Sequence, residues 1–403
     1  MKNKLISITE AIEIIRKNSS QITKTETLDI KDCCGRVTAI PYYSDIDFPP
    51  FDKSAMDGFL VTNPDLTEYK IVDLIKAGDK LNIRLKDHEC VAIMTGAPIL
   101  ENGVKVIINE HTTINEEKII VTKQSSALNI CRKGEDLKKG DVVLPQKSLI
   151  NPFSIGGLAG AGIDKVEVLS KIKIDFAVTG DELLDVKEIP TDGMIRDTNS
   201  YSLTGRIKNI PFCEGQFRGI VKDTLDDTKN IIDNFFNSDS NILILSGGSS
   251  RGDFDFVVAA LQSLDWNILI EGVRIQPGKP VIFATKGDKI VFGLPGNPVS
   301  VLVSFEVFIK EALYAMMGLV YKPLNVTAQL TTDYSRKNVE RTSFIPVDIQ
   351  SEDIKMFATP VKYNGSGHIT SYNFVNYLMV VQEGVSLLKK GDLVIARQIW
   401  QNY

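Results

Sequence analysis

At 403 residues the chain is well beyond the ~150 that fill one domain, so several cores must share it and a single small module is excluded. Hydrophobic residues at 43%, charged residues at 24% and a mean hydropathy of -0.01 are ordinary for a chain that folds in water. Forty-six Lys and Arg against 51 Asp and Glu leave a net charge of -5, too little positive charge to grip duplex nucleic acid by bulk electrostatics, so anionic ligands must be held by local groups.

The amino terminus has no apolar leader core and no run of ~18 apolar residues follows, so a cytoplasmic protein that crosses no membrane is expected. Five cysteines, an odd number without a Cys-x-x-Cys pair, argue for a reducing compartment and against a disulfide framework or structural zinc. Ser7-Ile8-Thr9-Glu10 has capping-box spacing, and Ile8, Ala11, Ile12 and Ile15 recur at helical intervals, which predicts an opening amphipathic helix. From about residue 47 to 145 short β-branched runs (69–74, 104–109, 118–122) are broken by Gly and Asn turns, as in a small β domain. Residues 151–162 again read as helix, with an Ala-Gly-Ala-Gly stretch suited to close backbone packing.

Between 172 and 319 the apolar runs 174–178, 242–245, 281–284 and 290–293 alternate with helical segments, the pattern of a parallel α/β sheet buried on both faces. Its last helix is predicted after Asn297 as cap and Pro298 in the first turn, with Val301, Leu302, Phe305, Phe308 and Leu313 as one stripe and Gly318 as the stop. After residue 323 alternating strands return, so the last eighty or so residues form a separate β domain.

Ligands of open parallel sheets bind beyond the strands' carboxyl ends, at helix amino termini. Three such ends are decorated: Thr179-Gly180-Asp181-Glu182-Leu183, the segment from Ser246-Gly247-Gly248 to Gly252-Asp253-Phe254-Asp255, and Gly293-Leu294-Pro295-Gly296-Asn297-Pro298. Backbone and hydroxyl donors beside Asp253 and Asp255 suit a phosphate bridged by a cation, most simply Mg²⁺. No Gly-x-x-x-x-Gly-Lys-Ser/Thr and no Gly-x-Gly-x-x-Gly occurs, which excludes an ordinary P-loop NTPase and a typical dinucleotide enzyme. Gln276-Pro277-Gly278-Lys279-Pro280 is a turn that carries a lysine. Upstream, two prolines and two phenylalanines stiffen Asp47-Phe48-Pro49-Pro50-Phe51-Asp52-Lys53-Ser54-Ala55-Met56-Asp57-Gly58-Phe59, a loop dense in charge and therefore suited to a task. Met94-Thr95-Gly96-Ala97-Pro98 and Arg132-Lys133-Gly134-Glu135-Asp136 complete the set; singly, each could be a turn or a solvated charge run.

With these motifs in this order, from about Ser7 to the end, the chain resembles the molybdopterin molybdenumtransferase family, MoeA and the E domain of gephyrin. The resemblance implies a discontinuous linker domain (1–46 and 138–171), a small β domain (47–137), an α/β molybdopterin-binding domain (172–321) and a β-barrel-like carboxy-terminal domain (322–403). It implies a homodimer that takes adenylated molybdopterin and molybdate, cleaves the pterin–AMP linkage with Mg²⁺, leaves molybdenum on the dithiolene sulfurs and releases AMP. Such chemistry rests on positioning and charge neutralisation, in keeping with only three histidines and no nucleophile triad.

Carried over, Asp57, Thr95 and Asp136 match residues needed for activity, and Glu182, Asp223 and Asp255 match the acidic set, Asp255 being the leading Mg²⁺ ligand with Glu182 and Asp223 supporting the ion or the pterin. Ser246, Gly247, Gly248, Lys279, Pro295, Gly296 and Asn297 would surround phosphate and pterin, with Arg341, Ser366 and His368 facing the cleft. Gln276 stands where the family often has lysine, with Arg274 nearby. The molybdopterin adenylyltransferase and acceptor molybdoenzymes are further implied partners. A gephyrin-like scaffold without turnover, or the same reaction with tungstate, are the alternatives.

Overall fold

The computed structural model describes residues 5–80, 83–247 and 254–400, apart from the side chains of Phe254 and Asp255; Gly248 and the Asp255 carboxylate therefore lie outside the described residues. The chain divides into two compact units, one of Met1–Glu26, Gly35–Val37 and Leu169–Tyr403 and one of Thr27–Cys34 and Thr38–Val168. Helix α1 (Ile8–Lys17) belongs to the larger unit. The Ser7 hydroxyl accepts from the Glu10 N–H at 3.1 Å, and Ala11 and Ile15 are fully buried, as the helical period predicts.

The smaller unit is built on β1 (Gly58–Val61), β2 (Glu68–Ile75), β3 (Glu89–Ile93), β4 (Lys105–Ile108), β5 (Thr112–Asn115) and β6 (Lys118–Val121). They form one sheet in the order β4-β1-β3-β2-β6-β5, antiparallel except between β2 and β3. Period-2 alternation sends Leu60, Val91 and Val106 into one core and Phe59, Tyr69 and Ile107 into another. Gly58 reads in sequence as part of a turn, but it opens β1, where a Cβ would lie 2.1 Å from the Ile107 carbonyl oxygen, so only glycine lets the strands meet. Helix α2 (Pro152–Gly160) is capped by Asn151, whose side chain accepts from the Ser154 N–H at 2.9 Å, and Gly160 packs beside the Phe48 ring.

The larger unit continues with β7 (Ile172–Thr179), α3 (Asn199–Lys208), β8 (Cys213–Val221), α4 (Leu225–Phe236), β9 (Ile242–Gly247), α5 (Phe254–Ser263), β10 (Asn267–Glu271), β11 (Ile282–Lys286) and β12 (Lys289–Leu294). Sheet order is β8-β7-β9-β12-β11-β10. The strands β7, β9 and β12 are mutually parallel, as expected, and an unforeseen β8 joins them in parallel, whereas β11, expected to be parallel, runs antiparallel to both of its neighbours. The cause is local: Gly287 at φ +60 closes a two-residue turn, and a hairpin needs no crossover helix. Strand β8 lies at an edge and is mostly exposed, which is why its polar run carries no strand signature.

The predicted last helix is present in three pieces, α6 (Pro298–Ser304), a π-helical turn (Phe305–Ile309) and α7 (Lys310–Met316), followed by Gly318 at φ +70. Asn297 holds the cap position, but its side chain makes no capping hydrogen bond. The extra residue of the π turn rotates the helix face, and Glu306 becomes fully buried. Beyond it β13 (Asn325–Leu330), β14 (Thr342–Glu352), β15 (Lys355–Pro360), β16 (Tyr377–Val381) and β17 (Leu393–Gln398) close into a barrel around Ile345, Val347, Met379 and Ala396. The short strand Ile275–Gln276 adds to it in parallel with the start of β14.

Candidate active site

Register places Thr179, Val221, Gly247 and Leu294 near the carboxyl ends of adjacent parallel strands, so the loops that follow them rise on one side of the sheet. Gly247 sits at φ +135, and a Cβ there would be 1.9 Å from the Thr179 carbonyl oxygen. Glycine is thus the condition for β9 to deliver its loop beside that of β7. Ser246 is fully buried just before it.

The three decorated loops converge. The Asn199 amide, at the start of α3, donates to the Ser246 hydroxyl at 2.9 Å and to the Gly296 carbonyl at 2.7 Å, tying the β9 end to the turn after β12. Asp197 fixes that asparagine: buried itself, it accepts the Asn199 N–H at 2.8 Å, the Ser200 N–H at 3.1 Å and the Ser200 hydroxyl. The Asn199 side-chain Oδ1 is buried and has no hydrogen-bond partner among the described residues.

Glu182 and Asp223 stand on neighbouring loops. The exposed Glu182 carboxylate folds back over Gly180, which has no side chain to displace it, and the Asp223 N–H donates to the Asp181 carboxylate at 3.3 Å. Asp255 lies in the first turn of α5, whose strand, β9, is the neighbour of β7 on the side away from β8. The barrel supplies a further wall. The Ser366 carbonyl accepts the Val299 N–H at 3.2 Å, and Gly367 lies against the exposed Asn297. The His368 Nδ1 accepts the Asn364 N–H at 3.2 Å, which shapes this loop. Lys279 is exposed on a turn whose Gly278 abuts Ser304, and Arg341 immediately precedes the segment of β14 that pairs with Ile275–Gln276. Arg274 does not stand in for a lysine at 276, because its Nε is paired with Glu383 at 3.1 Å and its Nη1 with the Leu5 carbonyl at 2.7 Å.

In the smaller unit Asp57 and Thr95, 38 positions apart, form a bonded pair: the Asp57 carboxylate accepts the Thr95 N–H at 2.6 Å and its hydroxyl at 2.8 Å. These bonds, the backbone one foremost, hold the Asp57 carboxyl below its ordinary range. A lowered folded value contributes stability above the unfolded pKa, and this contribution is lost as pH falls through the folded value. Removing the hydroxyl in Thr95→Ala is expected to raise the Asp57 titration toward the ordinary ~3.9 without reaching it, because the N–H remains; a carbon-detected NMR titration that shows no movement would refute the bond. Asp136 lies on another turn of the same unit, its N–H on the Phe48 carbonyl at 3.1 Å, with Asp52 holding Arg132 and Lys133.

Three family models match in succession: the MoeA N-terminal region (domain I and II) over residues 6–162, a probable molybdopterin binding domain over 176–315 and the MoeA C-terminal region (domain IV) over 327–397. A molybdopterin molybdenumtransferase of Staphylococcus aureus is 31% identical over 98% of this chain and 95% of its own length. The chain belongs to the molybdopterin molybdenumtransferase family. This MoeA-type chain is accordingly an enzyme, a transferase of molybdenum cofactor biosynthesis. A Staphylococcus epidermidis molybdopterin molybdenumtransferase is 29% identical over 96% of the chain and 94% of its own length. The solved MoeA protein of Pyrococcus horikoshii OT3 superposes with a TM-score of 0.82 at 27% identity, covering 98% of this chain and all of that one. Among the described residues of this MoeA-type chain no helix is long and apolar enough to cross a membrane.

Sequence reasoning passed over Asp197 and Asn199. A signal existed, since Asp-x-x-Ser at a helix start is capping spacing, but it announces a helix and says nothing of the residues 47 and 97 positions away that Asn199 joins.

Proposed function

We propose that the chain transfers molybdenum from molybdate to adenylated molybdopterin, cleaving the pterin–AMP linkage with Mg²⁺ and releasing AMP. The observation that carries this reading is the Asn199 junction, which ties the end of β9 and the turn after β12 to the start of α3, on the side of the sheet from which the Glu182 and Asp223 loops also rise. Phosphates of the nucleotide meet the helix amino termini and the Ser246-Gly247-Gly248 backbone, while the pterin, rich in N–H donors, finds the Asn199 side-chain Oδ1 as an acceptor. Pro295, Gly296 and Asn297 shape the floor. Lys279, Arg341, Ser366 and His368 form the barrel-side wall, where cations and a hydroxyl suit an oxyanion such as molybdate.

Among the described residues no cluster of three His, Cys, Asp or Glu is placed to enclose a metal. Mg²⁺ keeps several waters and takes one or two carboxylates plus substrate phosphates, a demand suited to carboxylates on neighbouring strand-end loops. Glu182, Asp223 and Asp255 would hold it, and it would neutralise charge on the phosphates as the linkage breaks. The protein groups orient the two substrates and exclude competing water; none acts as a covalent nucleophile.

The same proposal includes a homodimer with Asp57, Thr95 and Asp136 completing the site of a second copy, the linker, β, α/β and carboxy-terminal divisions given above, and exchange with an adenylyltransferase and acceptor molybdoenzymes. Purified chain given adenylated molybdopterin, Mg²⁺ and molybdate is expected to release AMP in step with molybdate. Absence of AMP, with partner proteins co-purifying, would favour a scaffold; equal release with tungstate would broaden the metal.

A further inference from the structure

The larger unit has a second polar cavity at the other end of α3. Arg206 lies seven residues beyond Asn199, about 10 Å along the helix axis, and helps line a space of about 340 Å³ with Lys310, Lys322, Tyr314, Tyr321 and Trp400. No carboxylate lines this cavity among the described residues. The acid behind it, Glu306, is fully buried and fully used: one oxygen receives Arg206 and Lys310, the latter at 2.7 Å, and the other receives the Tyr321 hydroxyl.

Charge is left over. Arg397 stands over the Phe344 ring at 5.6 Å, close enough to oppose the charge on Lys310. Arg206 and Lys310 thus share one carboxylate, with the Arg397 charge felt at Lys310 behind them, before exposed Lys322 on the cavity lining adds another cation. The Arg206 Nε and the Arg397 Nε and Nη1 are buried without a hydrogen-bond partner among the described residues. Burying cations and leaving donors unmade is costly unless an anion answers them. Three aromatic rings line the space and raise the strength of any ionic contact there by keeping water thin.

We propose that this cavity binds a phosphate-type oxyanion at a site separate from the strand-end cleft, with Lys310 and Lys322 as its principal ligands and Arg206 supporting them. The phosphate of a nucleotide and free inorganic phosphate share that chemistry, and Trp400 reports on both.

The chain has two tryptophans, and the other, Trp266, is buried in the α/β core against Phe235. In full-length protein labelled with 5-fluorotryptophan, assigned with Trp266→Phe, inorganic phosphate is expected to shift the Trp400 resonance saturably and leave that of Trp266 in place. Chloride at matched ionic strength should move neither. Lys322→Ala, a change at the exposed rim, should weaken the response about tenfold, and Lys310→Gln at least as much; Asp223→Asn, in the strand-end cleft, should leave it unchanged. Repeating the titration with AMP separates the sources: tighter binding than phosphate assigns a nucleotide, equal binding a free anion. A Trp400 signal that stays still at millimolar phosphate, or one that moves alike in the wild type and both lysine variants, would overturn the assignment.

Discussion

Replacing Asp223 by Asn is expected to lower AMP release by a factor on the order of 10²–10³ without loss of fold, since it removes charge from a site whose work is electrostatic positioning. Asp223 sits just past β8, in an exposed connection to α4, so the change deletes no core volume. Glu182→Gln should fall in the same range, and the two together should cost less than the sum of their separate effects if both serve one ion. Mixing Asp223→Asn with Asp57→Ala protein should restore up to about a quarter of wild-type turnover, because half of randomly formed C₂ dimers then carry one intact site. No recovery after demonstrated subunit exchange would remove the second copy from the site, and full activity in Asp223→Asn would remove the carboxylate.

Glu306→Ala is expected to destabilise the larger unit by about 3–5 kcal/mol, the cost of leaving buried cations without their counter-charge. The carboxylate is fully buried, and Arg206 and Lys310 both bind it with side chains largely out of water. Glu306→Leu combined with Lys310→Met should recover part of the loss, as a packed apolar pair replaces a broken ionic one. The measurement is the denaturant midpoint of the transition assigned to this unit, with the slope checked for constancy. A drop below about 1 kcal/mol would mean that water or an anion compensates the cations.

Much of this was legible because the chemistry is written at turns. Gly247 and Gly58 are required by close backbone approach, which leaves a mark in sequence, and the strands β7, β9 and β12 are apolar because both faces are covered. Strand β8 escaped notice since an edge strand with one exposed side may be polar throughout, and the antiparallel hairpin of β11 and β12 depends on a single Gly-Asp turn between runs that look like their parallel neighbours. Glu306 lies at the edge of the apolar stripe, where a carboxylate gives no sign of burial; in the structure it is buried within the π turn. Asn199 was invisible as a site residue because its meaning lies in partners that the fold brings from far along the chain. The Asp57–Thr95 pair illustrates the opposite case, two separately noted motifs that the antiparallel pairing of β1 with β3 joins.

The strand Ile275–Gln276 is hydrogen-bonded into the barrel, while the chain on either side of it, β10 and β11, belongs to the α/β sheet. The two layers of the larger unit are therefore laced together twice, once through this detour and once through the connection after α7. Arg274 clamps the lace through Glu383, and its carbonyl takes the Thr342 N–H at 3.1 Å. A barrel so threaded is tethered to the sheet at two places, so a rotation about the connection after α7 alone would have to peel Ile275 and Gln276 from β14.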